Sequence, residues 1–419
     1  MYIDASSAPQ DSALPGLALQ FSDQELAHFA QTVLDIRTSE FHRQYLDYKP
    51  GQHCTSLYQT IQNNRHSLFY VKSIADPRAF SQLTDHLQRG GDSIKKFCAV
   101  NEKHRSILCR YPCDLNLPSV AMLTHEKLRK RLFAQSVQFS QFKTQGRLSP
   151  LQYKPEKRFI ARLSDSEESS LVCKLYTHQR FRALNLAFLT QKTSPFVDIV
   201  AINSKHNMLS YRWVDGEPLT AQLTKEHGSQ SLFECGRKLA QFHKQPAPNQ
   251  TMAINDDKLI RLIYQHASNA IKLLPEQSSL IALLASKIAL LLRNIPKTFS
   301  FIHGDFYTDQ VLVTKSGLRF LDFDNLCIWY RGYDLANFIA HLFYRSTLGF
   351  ISQQQKHQAE RAFLEGYDSK LKVKSHELNV LTALCIFQLI YHPLRFGSPC
   401  WQRDISLLLK ECYLKLYRN

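Results

Sequence analysis

The sequence predicts an α+β protein with a small antiparallel β lobe, a larger helical lobe behind it and an extra α/β module in front. Three observations predict this. Hairpin-like stretches with alternating apolar residues cluster between about 151 and 212. Helical periodicity dominates from about 221 onward. A segment near residue 46 repeats the first of those hairpins.

The first twenty residues, rich in Ser, Pro and Ala, read as a loose lead. Residues 22–43 read as a helix, with Ser22 as N-cap and Glu25 three residues on. Then comes the repeat. LDYKPGQHCTSLYQT from Leu46 is similar to LQYKPEKRFIARLSD from Leu151. Each is followed by an apolar strand with a lysine, Lys72 in LFYVKS and Lys174 in SLVCKLY. Alternating apolar residues in such hairpins favour antiparallel sheet over a parallel βαβ core. Between the copies, helical sequence runs from about Thr124 to Phe142, and Gly146 to Pro150 reads as a turn between lobes. After Lys174 a helix is expected over His178 to Thr190, then further strands to about 212. The helical remainder is interrupted by a strand-loop-strand stretch around 300–330. The expected domains are the lead 1–20, an N-terminal module 21–149, a β lobe 150–215 and a helical lobe 216–419.

Composition narrows the class. At 419 residues the chain exceeds one comfortable core, and 44% hydrophobic with 21% charged residues is ordinary for a globular protein. The N-terminus has neither a basic n-region nor a long apolar stretch, so no secretory signal is expected. No segment reads as a membrane span, because the most apolar run, Leu280 to Leu292, is cut by Lys287. The ten cysteines are scattered, without zinc spacing, and read as free thiols of a cytoplasmic protein. The net charge of +16 favours anionic ligands such as nucleotides. No DNA- or RNA-binding motif accompanies it, so nucleic acid is not the expected partner.

The chemistry concentrates in FIHGDFYTDQVLV, Phe301 to Val313, and LDFD, Leu321 to Asp324. Phosphoryl transfer needs a carboxylate beside the attacking hydroxyl, hard oxygen ligands for Mg²⁺ and a lysine on the phosphates. Asp305 follows a short apolar strand, and Gln310 offers an amide oxygen five residues later. A strand-turn-strand hairpin would return Asp322 toward both, and Lys174 sits upstream on a strand. Asp309 reads as a solvated turn residue, and His243 and His341 as packing residues.

These motifs, with GYDLANF at 332–338, resemble the aminoglycoside phosphotransferase and choline kinase superfamily, over about 150–419. The resemblance implies a protein-kinase-like two-lobed fold and an ATP- and Mg²⁺-dependent kinase acting on a small-molecule hydroxyl. It implies that Asp305 is the catalytic aspartate, that Gln310, Asp322 and Asp324 hold metal, and that Lys174 contacts the α- and β-phosphates. The adenine would meet the backbone near Arg212, Trp213 and Val214, while His303 and Asp334 hold the loop in shape.

Three departures from the family pattern stand out. Gln310 replaces Asn, as in bacterial maltokinases, which are also similar in carrying an N-terminal cap. The stretch HQRFRALNLAFLTQK after Lys174 has no acid to hold that lysine. The hairpin before Lys174, LSDSEESSL, has no glycine for backbone approach to phosphates. Two readings therefore stand. One is a small-molecule kinase whose acceptor is neutral or anionic, such as a sugar. The other is a pseudokinase that binds nucleotide without catalysis.

Overall fold

A computed structural model describes residues 8–34, 40–62, 65–89, 96–136, 146–164, 170–184, 186, 196–225, 227–249, 251–296 and 298–417. The chain forms two compact units. The first comprises Met1–Ala183, Ile199–Trp213 and Pro393–Trp401, and the second Leu184–Asp198, Val214–His392 and Gln402–Asn419.

The first unit contains two five-stranded sheets. One has the order β1-β2-β3-β5-β4, formed by His42–Lys49, His53–Gln62, Arg65–Ile74, Cys98–Asn101 and Ser106–Arg110 for β1 to β5. The other has the order β6-β7-β8-β10-β9, formed by Arg147–Lys154, Arg158–Ser164, Ser170–Tyr176, Ile199–Asn203 and Met208–Arg212 for β6 to β10. Every neighbouring pair in both is antiparallel. The two orders are the same plan, strand for strand. Lys72 lies between Thr55 and Ile107 on the third strand of the first sheet. Lys174 lies between Ile160 and Leu209 on the third strand of the second. In the first turn of each sheet the residue after Tyr-Lys-Pro takes the left-handed conformation, Gly51 at φ +69° and Glu156 at φ +60°. The sequence repeat is thus a repeat of architecture.

Alternation along β3 shows how the first sheet is buried on both sides. Phe69 and Val71 pack with Phe41, Tyr58, Leu108 and, from helix α1 (Asp23–Leu34), Leu26, Phe29 and Ala30. Tyr70 and Ile74 belong to a second core with Phe80 and Leu87 of α2 (Pro77–Arg89). That core also takes Val120 and Leu123 of α3 (Ser119–Thr124), Leu132 and Phe133 of α4 (Glu126–Ala134), and Phe159, Leu171, Cys173 and Leu175 of the second sheet. Opposite residue parities thus feed two apolar layers.

Several expectations change here. Helix α1 does begin at a Ser22 cap, whose Oγ accepts the Glu25 N–H at 3.3 Å. It is described as helical to Leu34, and His42, expected in the same helix, is in β1; residues 35–39 lie outside the described ones. Of the stretch Gly146 to Pro150, expected as a turn, Arg147 to Pro150 form the start of β6. Proline is tolerated there because β6 is an edge strand with a register shift between Pro150 and Gln152. The helix expected over 178–190 is described as α5, His178–Arg182, and residues 185 and 187–195 lie outside the described ones.

The second unit is mainly helical: α6 (Gly228–His243), α7 (Asp256–Leu273), α8 (Ser278–Asn294), α9 (Gly332–Thr347), α10 (Gln353–Asp368), α11 (Ser375–Gln388) and α12 (Trp401–Tyr417, from Gln402 onward). Helices α6 and α10 meet backbone to backbone. A Cβ on Gly236 would lie 2.0 Å from the Phe363 carbonyl oxygen, and one on Gly366 would lie 1.9 Å from that of Phe233. Among the described residues, two stretches, Pro275–Asn294 and Ser375–Arg395, are long and apolar enough to cross a membrane by length and composition. The second is a core helix, 72% buried within the protein. The first is amphipathic, with Ile281, Leu284, Ile288 and Leu292 inward and Leu283 and Leu290 exposed. All ten cysteines are unbridged.

Candidate active site

The site is built on two short sheets of the second unit, whose first strand in chain order is β11 (Glu217–Pro218). Strand β12 (Phe299–Ile302) pairs antiparallel with β15 (Cys327–Tyr330) and delivers the chain into His303-Gly304-Asp305. Gly304 sits at φ +77°, and a Cβ there would lie 2.3 Å from the Asn325 carbonyl oxygen, so only glycine fits. The loop is held from the first turn of α9. The buried Asp334 accepts the His303 N–H at 2.7 Å and the Gly304 N–H at 2.8 Å. Its Oδ2 also meets His243 Nε2 at 3.0 Å, and His243 Nδ1 meets the Tyr367 hydroxyl at 2.8 Å. His303, equally buried, donates from Nε2 to the Leu321 carbonyl at 2.7 Å. One turn further along α9, Asn337 Nδ2 donates to the Phe306 carbonyl at 3.2 Å.

A 3-10 turn over Thr308–Gln310 then leads into a hairpin of β13 (Val311–Thr314) and β14 (Gly317–Phe320). Val311 pairs with Phe320, and the Leu321 N–H donates to the Gln310 carbonyl at 2.8 Å. The hairpin thus returns the chain to Gln310 one residue before Asp322. Asp322 itself is in the left-handed region, at φ +54° and ψ +59°, which is unfavourable for a non-glycine residue. Asp324 follows in a 3-10 turn and is buried. Tyr307 lies in the field of these acids. Burial raises its pKa, and the charges of Asp305, Asp309 and Asp322 push it further in that order. All three carboxylates therefore lie within electrostatic reach of one phenol. The Tyr307 ring stacks on His341, centroids 4.0 Å apart and planes 10° apart. Asp309, expected as a solvated turn residue, is exposed in the 3-10 turn and is also tied to Arg345 at 2.7 and 2.9 Å and accepts from the Thr220 hydroxyl.

The remaining candidates divide between the units. Lys174 is buried at the middle of β8 in the first unit, its Nζ 5.1 Å from the Tyr176 ring centroid. Arg212 ends β10 and is exposed. Trp213 packs its ring under the Arg162 guanidinium at 4.1 Å, and its N–H donates to the Ser170 carbonyl at 3.0 Å. The backbone N–H of Trp213 is thus already committed to the sheet. Val214 begins the longest segment of the second unit. Sequence reasoning passed over two supporting residues. His243 read as packing, yet it hydrogen-bonds the carboxylate that shapes the loop. Asn337 stood unremarked inside GYDLANF, at the i+3 position from Asp334, which places both on one helix face.

The sequence pattern of the phosphotransferase enzyme family matches residues 146–369, more than half of the chain. The chain belongs to the phosphotransferase enzyme family. The matched span runs from the start of β6 to the end of α10 and contains every candidate above. Among solved structures, this phosphotransferase is similar to choline kinase from Cryptosporidium parvum Iowa II, at 14% identity and TM-score 0.47, over 64% of this chain and 88% of that one. It is similar to a choline/ethanolamine kinase family protein from Mesorhizobium loti, at 14% identity and TM-score 0.47, over 65% and 88%. It is also similar to spectinomycin phosphotransferase in complex with ADP and spectinomycin, at 15% identity and TM-score 0.43, over 64% and 92%. A comparison with curated proteins found no match.

The donor chemistry of the phosphotransferase can be tested directly. Among the described residues, no group of three or more His, Cys, Asp or Glu side chains could hold a metal alone. Softer transition-metal cages are thereby not offered. The oxygens near the hairpin, from Gln310, Asp322 and Asp324, are hard donors. Such a set fits Mg²⁺, which takes one or two protein carboxylates and completes its shell with water and substrate phosphates.

Proposed function

We propose that this phosphotransferase moves the terminal phosphoryl group of ATP to a hydroxyl of a small neutral or anionic metabolite, such as a sugar. The Asp305 loop pinned by Asp334, beside a hairpin that returns the chain from Gln310 to Asp322, carries this reading. Asp305 orients the acceptor hydroxyl and takes its proton as the acceptor oxygen attacks phosphorus. The bond to the bridging oxygen breaks and ADP leaves. Gln310, Asp322 and Asp324 would hold Mg²⁺, which when bound neutralises phosphate charge. Lys174 contacts the α- and β-phosphates. The segment Arg212 to Val214 borders the adenine, with Arg212 and Val214 contributing backbone groups and Trp213 its side of the packing. Gln310 takes the role that an Asn has in the family pattern, as its counterpart does in maltokinases. The basic chain, +16 overall, suits an anionic nucleotide and disfavours a polycationic acceptor. The protein is read as cytoplasmic.

A thermal-shift screen of nucleotides with and without Mg²⁺ tests this before any acceptor is known. At one hundred times its Kd, a ligand stabilises the folded state by about 2.7 kcal/mol. Adenine nucleotides with Mg²⁺ are expected to raise the melting temperature by several degrees, and less without the metal. No shift with any nucleotide would contradict the reading.

A further inference from the structure

The first unit holds two copies of one sheet plan, and only the second copy carries a residue assigned above to nucleotide phosphates. In the first copy, the place of Lys174 is taken by Lys72. The Lys72 ammonium is paired with a carboxylate of the second copy, that of Glu156. Glu156 is the central residue of the turn between β6 and β7, the first turn of its sheet. In protein kinases a glycine-rich loop covers the nucleotide phosphates. Lys174 pairs with Ile160, nearer the Arg158↔Tyr176 end of its ladder than the Ser164↔Ser170 end, so the turn at the nearer end, Pro155-Glu156-Lys157, is taken here as the phosphate turn, and it too lacks glycine.

Glu156 is held from several directions. Tyr70 donates from its hydroxyl to Oε1 at 3.3 Å, and Asn116 donates from Nδ2 to Oε2 at 3.2 Å. The Glu156 N–H donates to Asp114 Oδ2 at 2.8 Å, an oxygen that also accepts from the Tyr153 hydroxyl at 2.9 Å. Asp114 is fixed in turn by the N–H groups of Asn116 and Leu117 on Oδ1, at 2.9 and 2.8 Å. The side chain is only 9% exposed and the backbone is left-handed. Both features cost free energy that glycine at this position would avoid. They persist where surrounding groups over-determine the conformation. The Glu156 carboxylate also fills the place beside Lys72 that a phosphate would need, so the first copy does not repeat the nucleotide site.

We propose that the N-terminal copy is a built-in positioning element, in which Lys72, with Tyr70 and Asn116, clamps Glu156 and so fixes the β6–β7 turn for nucleotide phosphates. This rests on the nucleotide reading above. Lys72 is a positioning residue; it acts through Glu156.

The test uses the full chain, with ADP and Mg²⁺ as the probe in calorimetric titration, and amide hydrogen exchange of residues 152–158 without nucleotide. Lys72→Met and Glu156→Gln are expected to weaken ADP about 10-fold and to speed exchange in the turn at least about 10-fold. The double variant should be no worse than either single one, because both remove the same contact. Lys72→Arg should restore ADP affinity to within about 3-fold of wild type. Should Lys72→Met fail to fold, Tyr70→Phe, which removes one hydrogen bond to Glu156, should move both readouts the same way by a smaller factor. A merely structural pair would lower the melting temperature and leave ADP affinity well below that temperature unchanged. Folded variants with wild-type exchange and wild-type ADP affinity overturn the clamp. Wild-type protein that binds no ADP overturns the nucleotide reading and the purpose assigned to the clamp, while the exchange result still shows whether the turn is held.

Discussion

The backbone N–H of His303 donates to the carboxylate of Asp334 at 2.7 Å, across thirty-one residues of sequence. The start of one helix thereby shapes a loop that precedes it by a hairpin and a strand. The same carboxylate serves Gly304 and His243, and all of this is out of water. Asp334→Ala would leave two backbone N–H groups and an imidazole without their acceptor. Removing one member of such a buried charged network typically costs about 3–5 kcal/mol. Urea unfolding should show a loss of that size, with Asp334→Asn milder because it retains one acceptor oxygen.

The crossing of α6 and α10 gives a second expectation. Gly236→Ala would drive a methyl group into the Phe363 carbonyl, which is backbone and cannot rotate aside. Overpacking of this kind costs about 1–3 kcal/mol. Gly349, by contrast, has open space around its Cβ position but sits at φ +75°. Gly349→Ala should cost only about 1 kcal/mol, from backbone strain. Thermal unfolding of the two variants side by side checks the order.

His341 should make stability depend on pH. Burial, and then the Arg345 charge, lowers its pKa from 6.5 to about 3. Between those values the unfolded chain takes up a proton that the folded chain refuses. Stability from this group is therefore complete above about pH 6.5 and falls as the pH drops toward 3, by at most about 1.4 kcal/mol per pH unit. His341→Phe keeps a ring to stack on Tyr307 and removes the titration. The difference in unfolding free energy between pH 7 and pH 5 should shrink by about 2 kcal/mol, read from urea curves at both values.

Gln310 offers a sharper probe of metal binding. Its backbone is fixed at both sides, by the Tyr307 carbonyl at 2.9 Å and by the Leu321 N–H. Gln310→Asn keeps the amide oxygen but withdraws it by one methylene from a position the backbone cannot follow. The Mg²⁺ concentration needed for half-maximal nucleotide stabilisation should rise about 10-fold, or about 1.4 kcal/mol. Gln310→Leu should raise it further. An unchanged requirement in both variants would remove Gln310 from the metal site.

Much of this architecture was legible because simple periodicities survive in the folded chain. The helical character of the second unit was legible from about residue 221 onward, since most of its helices carry an apolar stripe; α11 is buried nearly all round. The repeat was visible at Tyr-Lys-Pro because both turns need that geometry, with Gly51 and Glu156 in the same conformation. What failed were local signals overridden by the sheet. Pro150 reads as a turn, yet an edge strand with a bulge accepts it. Around the site, Asp305, Gln310 and Asp322 could be associated by counting along a hairpin. The roles of His243 and Arg345 could not, because each reaches its carboxylate from a distant helix.

The central claim is that Asp305 orients and deprotonates an acceptor hydroxyl. The direct measurement is transfer of the terminal phosphate from Mg²⁺–ATP to a panel of neutral and anionic hydroxyl compounds, for wild type and Asp305→Asn. The variant should lose about 10²–10⁴-fold in rate, the usual contribution of a positioned general base, while nucleotide still raises its melting temperature as in wild type. Wild-type rates in a folded Asp305→Asn protein would contradict the account.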